Sequence, residues 1–182
     1  MQDAVLVEAT RQVCDGMLEL SRLGLVHRDL STHNILVYSF HKAHPDLVSM
    51  RVSDYGMQFR SEGGGDFLEV LGSAASRDGG VRWMPPEAIL EGSWVKGSDV
   101  WAFGVTMWEV WSGGGAVPYE EISEDDELCD LVLAAGAVLK APDGCPEDVY
   151  AVMNSCWRHA PSDRPSYAVL ARRFAKCLPF RV

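Results

Sequence analysis

Three short clusters hold the side chains best able to do chemistry. The first lies in LVHRDLSTHNILV, residues 25–37, and consists of His27, Arg28 and Asp29 with Asn34 five residues after the aspartate. The second is Asp54-Tyr55-Gly56, 20 residues past Asn34, and the third is Pro85-Pro86-Glu87. Carboxylates and an amide at these spacings could take up a proton and hold a hard cation. Taken singly, each has an ordinary alternative: an Asp in a turn, an Asn at a strand start, an acidic residue before a Gly turn.

Such side chains need elements to position them. Apolar residues at Val5, Ala9, Val13, Met17 and Leu20 predict a helix over 4–23, ended by Gly24. Two β-type runs at 34–37 and 50–53 predict a hairpin over 34–53 with a long connection. Residues 56–80 are rich in Gly, Ser, Asp and Glu and predict a long loop, a kind that tends to be functional. Residues 98–112, SDVWAFGVTMWEVWS, are apolar nearly all round and predict a buried central helix, with Ser98 and Asp99 in cap-like positions. Further helices are expected at 124–139, 146–156 and 164–177.

Composition narrows the setting. At 182 residues and 47% apolar content the chain suits one domain with a real core. Its longest strongly apolar stretch, 100–111, is interrupted by Glu109 and is too short to span a bilayer. A net charge of −10 argues against nucleic acid or an anionic membrane surface as partner, because both reward basic patches. Five scattered cysteines, never in a C-x-x-C pair, suggest buried thiols in a reducing compartment. No secretory signal is read at residues 1–13. The expected location is cytoplasmic, or the cytoplasmic side of a larger membrane protein.

The three ordered clusters resemble the C-terminal lobe of a eukaryotic protein kinase, as do SDVWAFGVTMWEV and CWRHAPSDRPSY further along. The resemblance covers essentially the entire chain. It implies a protein kinase-like α+β fold, of which this chain is the mainly helical C-lobe with a small β-hairpin. It also implies a catalytic loop at 25–34, an activation segment at 54–87 and a helical subdomain at 98–177. ATP and Mg2+ are the implied cofactors. Phosphoryl transfer asks mainly for positioning and charge neutralisation. By the resemblance Asp29 accepts or orients the proton of the attacking hydroxyl, and Asn34 and Asp54 offer oxygens to magnesium. By the same resemblance Leu36 floors the adenine pocket, although a plain core leucine is equally consistent, and Arg28 holds a phosphate on the long loop. His27, Tyr55 and Gly56 are structural, Glu87 and Arg164 form a buried ion pair, and Asp99 braces the catalytic loop.

Substrate type follows from the same comparison. Serine/threonine kinases carry a lysine two residues after the catalytic aspartate, where Ser31 stands here. The segment Val81, Arg82, Trp83, Met84, Pro85 resembles the tyrosine-kinase substrate loop, so a tyrosine-containing protein is the implied substrate. Several features depart from that pattern. Ser31-Thr32-His33 replaces a stretch that normally includes an arginine, so either His33 takes over the arginine's hydrogen bonds or the loop is weakened. The hairpin connection is long and contains His41 and His44, read as loop histidines rather than metal ligands. No tyrosine follows Tyr55 in the long loop, leaving Ser61, Ser73 or Ser76, or a loop set permanently by Glu62, Asp66 and Glu69. All four lysines (Lys42, Lys96, Lys140, Lys176) follow the catalytic loop, and no G-x-G-x-x-G occurs. The ATP-cradling N-lobe, expected in cis, is therefore missing from these residues, and the isolated chain is expected to be nearly inactive. Two alternatives stay open: a non-catalytic binding module, and a serine/threonine or dual-specificity kinase.

Overall fold

The computed structural model describes residues 2–55, 80–134 and 139–177. The first helix, α1 (Gln2–Arg22), turns Val5, Ala9, Val13, Met17 and Leu20 inward, the stripe that their spacing predicts. Gly24, at φ +78°, takes the left-handed turn that glycine enters without a Cβ penalty, and the Leu25 N–H returns to the Leu20 carbonyl at 3.0 Å.

The hairpin follows: β1 (Ile35–Ser39) pairs antiparallel with β2 (Ser49–Val52), in register Ile35 to Val52 and Val37 to Met50. Two strands alone are marginal in water. Here β2 is fixed to α1, because Met50 and Val48 pack on Val5 and Ala9. The Gln12 side chain completes the join. Its amide nitrogen donates to the Val48 carbonyl at 2.8 Å and its oxygen accepts the Met50 N–H at 2.9 Å, standing in for a strand neighbour. The expected loop histidines His41 and His44 meet edge to face, and no cluster of metal-binding side chains forms among the described residues.

Among the described residues five further helices follow: α2 (Pro86–Glu91), α3 (Lys96–Trp111), α4 (Asp125–Leu133), α5 (Glu147–Cys156) and α6 (Tyr167–Cys177). Helix α3 is central, with 12 of its 16 residues buried, which is why its sequence shows no polar face. Phe103 on α3 packs edge to face on Tyr167 and Phe174 of α6. Gly104 lets α5 come close: a Cβ there would lie 2.8 Å from Cys156 Cβ and 2.7 Å from Trp157 Nε1. All five cysteines are free, with Cys14 and Cys156 buried.

Three helix boundaries correct the expectation. Helix α3 starts before Ser98, which acts from within the first turn, its hydroxyl accepting the Val95 N–H at 3.0 Å. Helix α4 stops at Leu133; Leu139 and Lys140 form a strap, their carbonyls taken by the Tyr150 hydroxyl and the Trp108 indole. Helix α6 starts at Tyr167, not 164, because Arg164 precedes a proline and is held extended at φ −75°, ψ 142°.

Candidate active site

The catalytic-loop candidates lie along one face of α3. Asp99 sits in its first turn, buried, and its two carboxylate oxygens accept the backbone N–H groups of His27 at 2.7 Å and Arg28 at 2.9 Å. Two successive amides converge on one carboxylate because Arg28 is left-handed, at φ 71°. That conformation costs a non-glycine residue about 1–3 kcal/mol, so the surrounding bonds must hold it. Burial pushes the Asp99 carboxyl above its ordinary range, and the two amides pull it back. Seven residues on, the Thr106 hydroxyl lies between the carbonyls of Ala102 at 2.8 Å and Leu30 at 3.3 Å. Three further on, Glu109 accepts the Thr32 N–H at 3.2 Å and the Thr32 hydroxyl at 2.7 Å.

These anchors share about 80° of the helix circumference and span about 15 Å of its axis. The loop from residue 28 to 32 covers a similar distance, about 13–14 Å, if nearly extended. Loop and helix therefore run alongside one another, joined at three levels.

The chemistry-bearing side chains hang from this arrangement. Asn34, buried in the 3-10 turn Thr32–Asn34, donates its amide NH2 to the Asp29 backbone oxygen at 2.5 Å and carboxylate Oδ2 at 3.1 Å. Its carbonyl oxygen is thus the atom turned to other use. His27 accepts the Asp29 N–H on Nδ1 at 3.3 Å, so Nε2 carries the proton and donates to the Ser53 carbonyl at 2.9 Å. Ser53 bonds the Asn34 carbonyl through its N–H at 2.9 Å, and Asp54 follows it, exposed and left-handed at φ 57°. The hairpin ends and His27 thereby bring Asp29, Asn34 and Asp54 into one neighbourhood. Two oxygen-bearing side chains fit magnesium, a hard ion that usually takes one or two protein ligands and leaves the rest to phosphates and water.

The remaining candidates divide. Leu36 is half-exposed on β1 and Tyr55 is exposed, so the Tyr55 hydroxyl needs no buried partner. Gly56, the serines and acidic residues proposed for the long loop, and any phosphate partner of Arg28 there lie outside the described residues. Val81, Met84 and Pro85, expected in a substrate loop, bury their side chains. Arg82 is engaged internally, its guanidinium donating to the carbonyls of Pro118, Tyr119 and Ile122 at 2.7 Å each. Trp83 is half-buried, and its indole N–H donates to Glu109 at 2.8 Å. Glu87 receives both terminal nitrogens of the Arg164 guanidinium, at 2.7 and 2.8 Å.

His33 does not replace an arginine as anchor: its side chain is exposed, and Thr32 makes the bond to α3. Glu109, Thr32 and Thr106 were missed by sequence reasoning, and Ser98 was read only as a cap. The signal for Glu109 was visible, a lone carboxylate in the most apolar stretch of the chain.

Known proteins are similar to the chain along most of its length. The family described as "Protein tyrosine and serine/threonine kinase" matches residues 1–174, and the chain belongs to that family. It is 38% identical over 168 residues to "Tyrosine-protein kinase Shark" of Drosophila melanogaster, covering 91% of this chain and 16% of that protein. It is 38% identical over 160 residues to human "Inactive tyrosine-protein kinase 7", covering 88% and 14%. With the mouse "Epithelial discoidin domain-containing receptor 1" it shares 34% over 176 residues, covering 94% and 18%. The chain therefore spans less than a fifth of these relatives. No helix among the described residues is long and apolar enough to cross a membrane.

Proposed function

We propose that these residues are the catalytic half of a protein-tyrosine kinase domain, which transfers the γ-phosphoryl group of ATP to a tyrosine hydroxyl. The observation that carries the reading is the joining of Asp29, Asn34 and the Ser53–Asp54 turn through Asn34 and His27. In this reading Asp29 orients the phenol and takes its proton as the oxygen attacks phosphorus. The bond to the bridging oxygen breaks, and ADP departs with its electrons. Asn34 and Asp54 would hold magnesium, which would neutralise charge on the phosphates. Asp99 fixes the loop so that Asp29 need not reorganise during the step.

Tyrosine specificity draws support from Ser31, buried where a lysine would favour a shorter acceptor, and from Trp83 in a segment whose Val81, Met84 and Pro85 are buried. A second reading, a binding module without turnover, draws support from the resemblance to a protein named as inactive and from the altered Ser31-Thr32-His33 stretch.

Peptide-array phosphorylation by the complete protein decides among these. Phosphotyrosine that falls by about 100-fold or more in Asp29→Asn supports the kinase reading, given what general acid–base groups contribute. Phosphate on serine peptides alone removes tyrosine specificity, and no transfer together with no Mg-ATP binding leaves the binding module. The 182-residue chain by itself is expected to turn over poorly, because none of its lysines precedes the catalytic loop.

A further inference from the structure

Glu109 stands out among the side chains that the proposed mechanism does not use. It is buried on α3 and its carboxylate serves two separate loops. Oε1 accepts the Thr32 hydroxyl at 2.7 Å, and Oε2 accepts both the Thr32 N–H at 3.2 Å and the Trp83 indole N–H at 2.8 Å. Thr32 lies between Asp29 and Asn34 in the catalytic loop, while Trp83 lies in the substrate loop. On the far side of that loop Arg82 is fixed to the carbonyls of residues 118–122. The turn Gly80–Trp83 is thus held from two sides, and Glu109 supplies the side that faces the catalytic loop.

We propose that Glu109 and Thr32 are a positioning pair that couples the substrate loop to the catalytic loop and so places the acceptor hydroxyl relative to Asp29. The inference rests on the kinase reading above. Neither side chain need touch ATP or the acceptor. The Thr32 hydroxyl matters because the threonine N–H alone reaches only Oε2, the oxygen that Trp83 also uses. With the hydroxyl on Oε1 the carboxylate plane is fixed, and with it the direction in which Trp83 is held. Hydrogen bonds to charged groups are stronger than neutral ones, so losing one should be measurable.

The test uses the complete protein with Thr32→Val, which keeps the shape and removes the hydroxyl, and Thr32→Ser, which restores it. Amide hydrogen exchange is read at residues 30–34 and 80–84, together with Michaelis constants for a tyrosyl peptide and for ATP. Thr32→Val is expected to speed exchange in both segments and to raise the peptide KM about tenfold, the scale of one charge-assisted hydrogen bond. The ATP KM should hold, and Thr32→Ser should return both readouts towards wild type. A merely structural role would not single out the peptide constant. Exchange at 80–84 unchanged by Thr32→Val overturns the coupling, and an unmoved peptide KM in an active enzyme overturns the placement of the acceptor. A protein that transfers no phosphate refutes the kinase reading instead and with it the placement of an acceptor, while exchange still decides whether the two loops are coupled.

Discussion

Asp99 and Glu109, ten residues apart on α3, are both buried and both matched to N–H or O–H donors on loops. Burial raises each carboxyl above its ordinary range, against the pull of those donors. The consequence for pH has a definite sign. A raised folded value means that the folded state binds the proton more tightly than the unfolded chain, whose glutamate titrates at about 4.3. The stability from that difference is complete below about 4.3 and is lost as pH rises through the raised folded value. The melting-temperature gap between wild type and Glu109→Gln should therefore narrow as pH rises through this window, since other titrating groups cancel in the comparison. His33 opposes the shift, so His33→Gln should accentuate the narrowing. A gap that widens with pH would mean that the donors, not burial, dominate at Glu109. At this scale the sequence named Asp99, Asn34, Asp29 and Asp54, because their types and spacing carry meaning in a known pattern. Thr32 was hidden, because its importance depends on a partner 77 residues away.

At the scale of elements, the expected helices and the hairpin all have counterparts among the described residues, since apolar patterns that packing then uses are legible in sequence, periodic in α1 and nearly all round in α3. The errors lie at ends, where a local bond decides. Ser98 caps from inside α3 and also donates to Glu87 at 2.8 Å, and Pro165 delays α6. Helix spacing was not legible. How closely α5 approaches α3 depends on Gly104, a residue that reads as a mild flaw in a helix until its neighbours are known. A methyl group there meets the Trp157 indole and Cys156 Cβ at under 3 Å, and Cys156 belongs to α5 itself. Gly104→Ala should therefore lower unfolding free energy by about 1–3 kcal/mol through overpacking, despite the better helix propensity of alanine. Urea unfolding followed by tryptophan fluorescence measures this. A midpoint that rises instead would show that the indole moves aside and propensity wins.

At the scale of the whole molecule, the described residues seal one side well and leave apolar side chains exposed on another. On the sealed side Arg164 joins Glu87 in α2 to the carbonyls of Arg158, His159 and Gly97, and lies over the Trp101 ring. On the open side β1 presents Val37 at 57% and Tyr38 at 70% exposure, with Leu36, Phe40 and Leu47 also about half exposed. Beside them runs a groove of about 590 Å3, lined by Val5, Ile35, Val37, Phe40, Met50 and Trp111 among others. Exposed apolar side chains in this number favour association in water. The 182-residue chain alone should therefore self-associate with rising concentration, visible by light scattering, and should bind a hydrophobic dye. Val37→Thr with Tyr38→Lys alters two exposed positions, so it should reduce both effects with little change in melting temperature. A chain that stays monomeric and dye-free at high concentration would mean that the hairpin folds down over the groove in solution. The net charge of −10 works against association through repulsion between copies, so added salt should strengthen it by screening, the opposite of what a contact built on ion pairs would do.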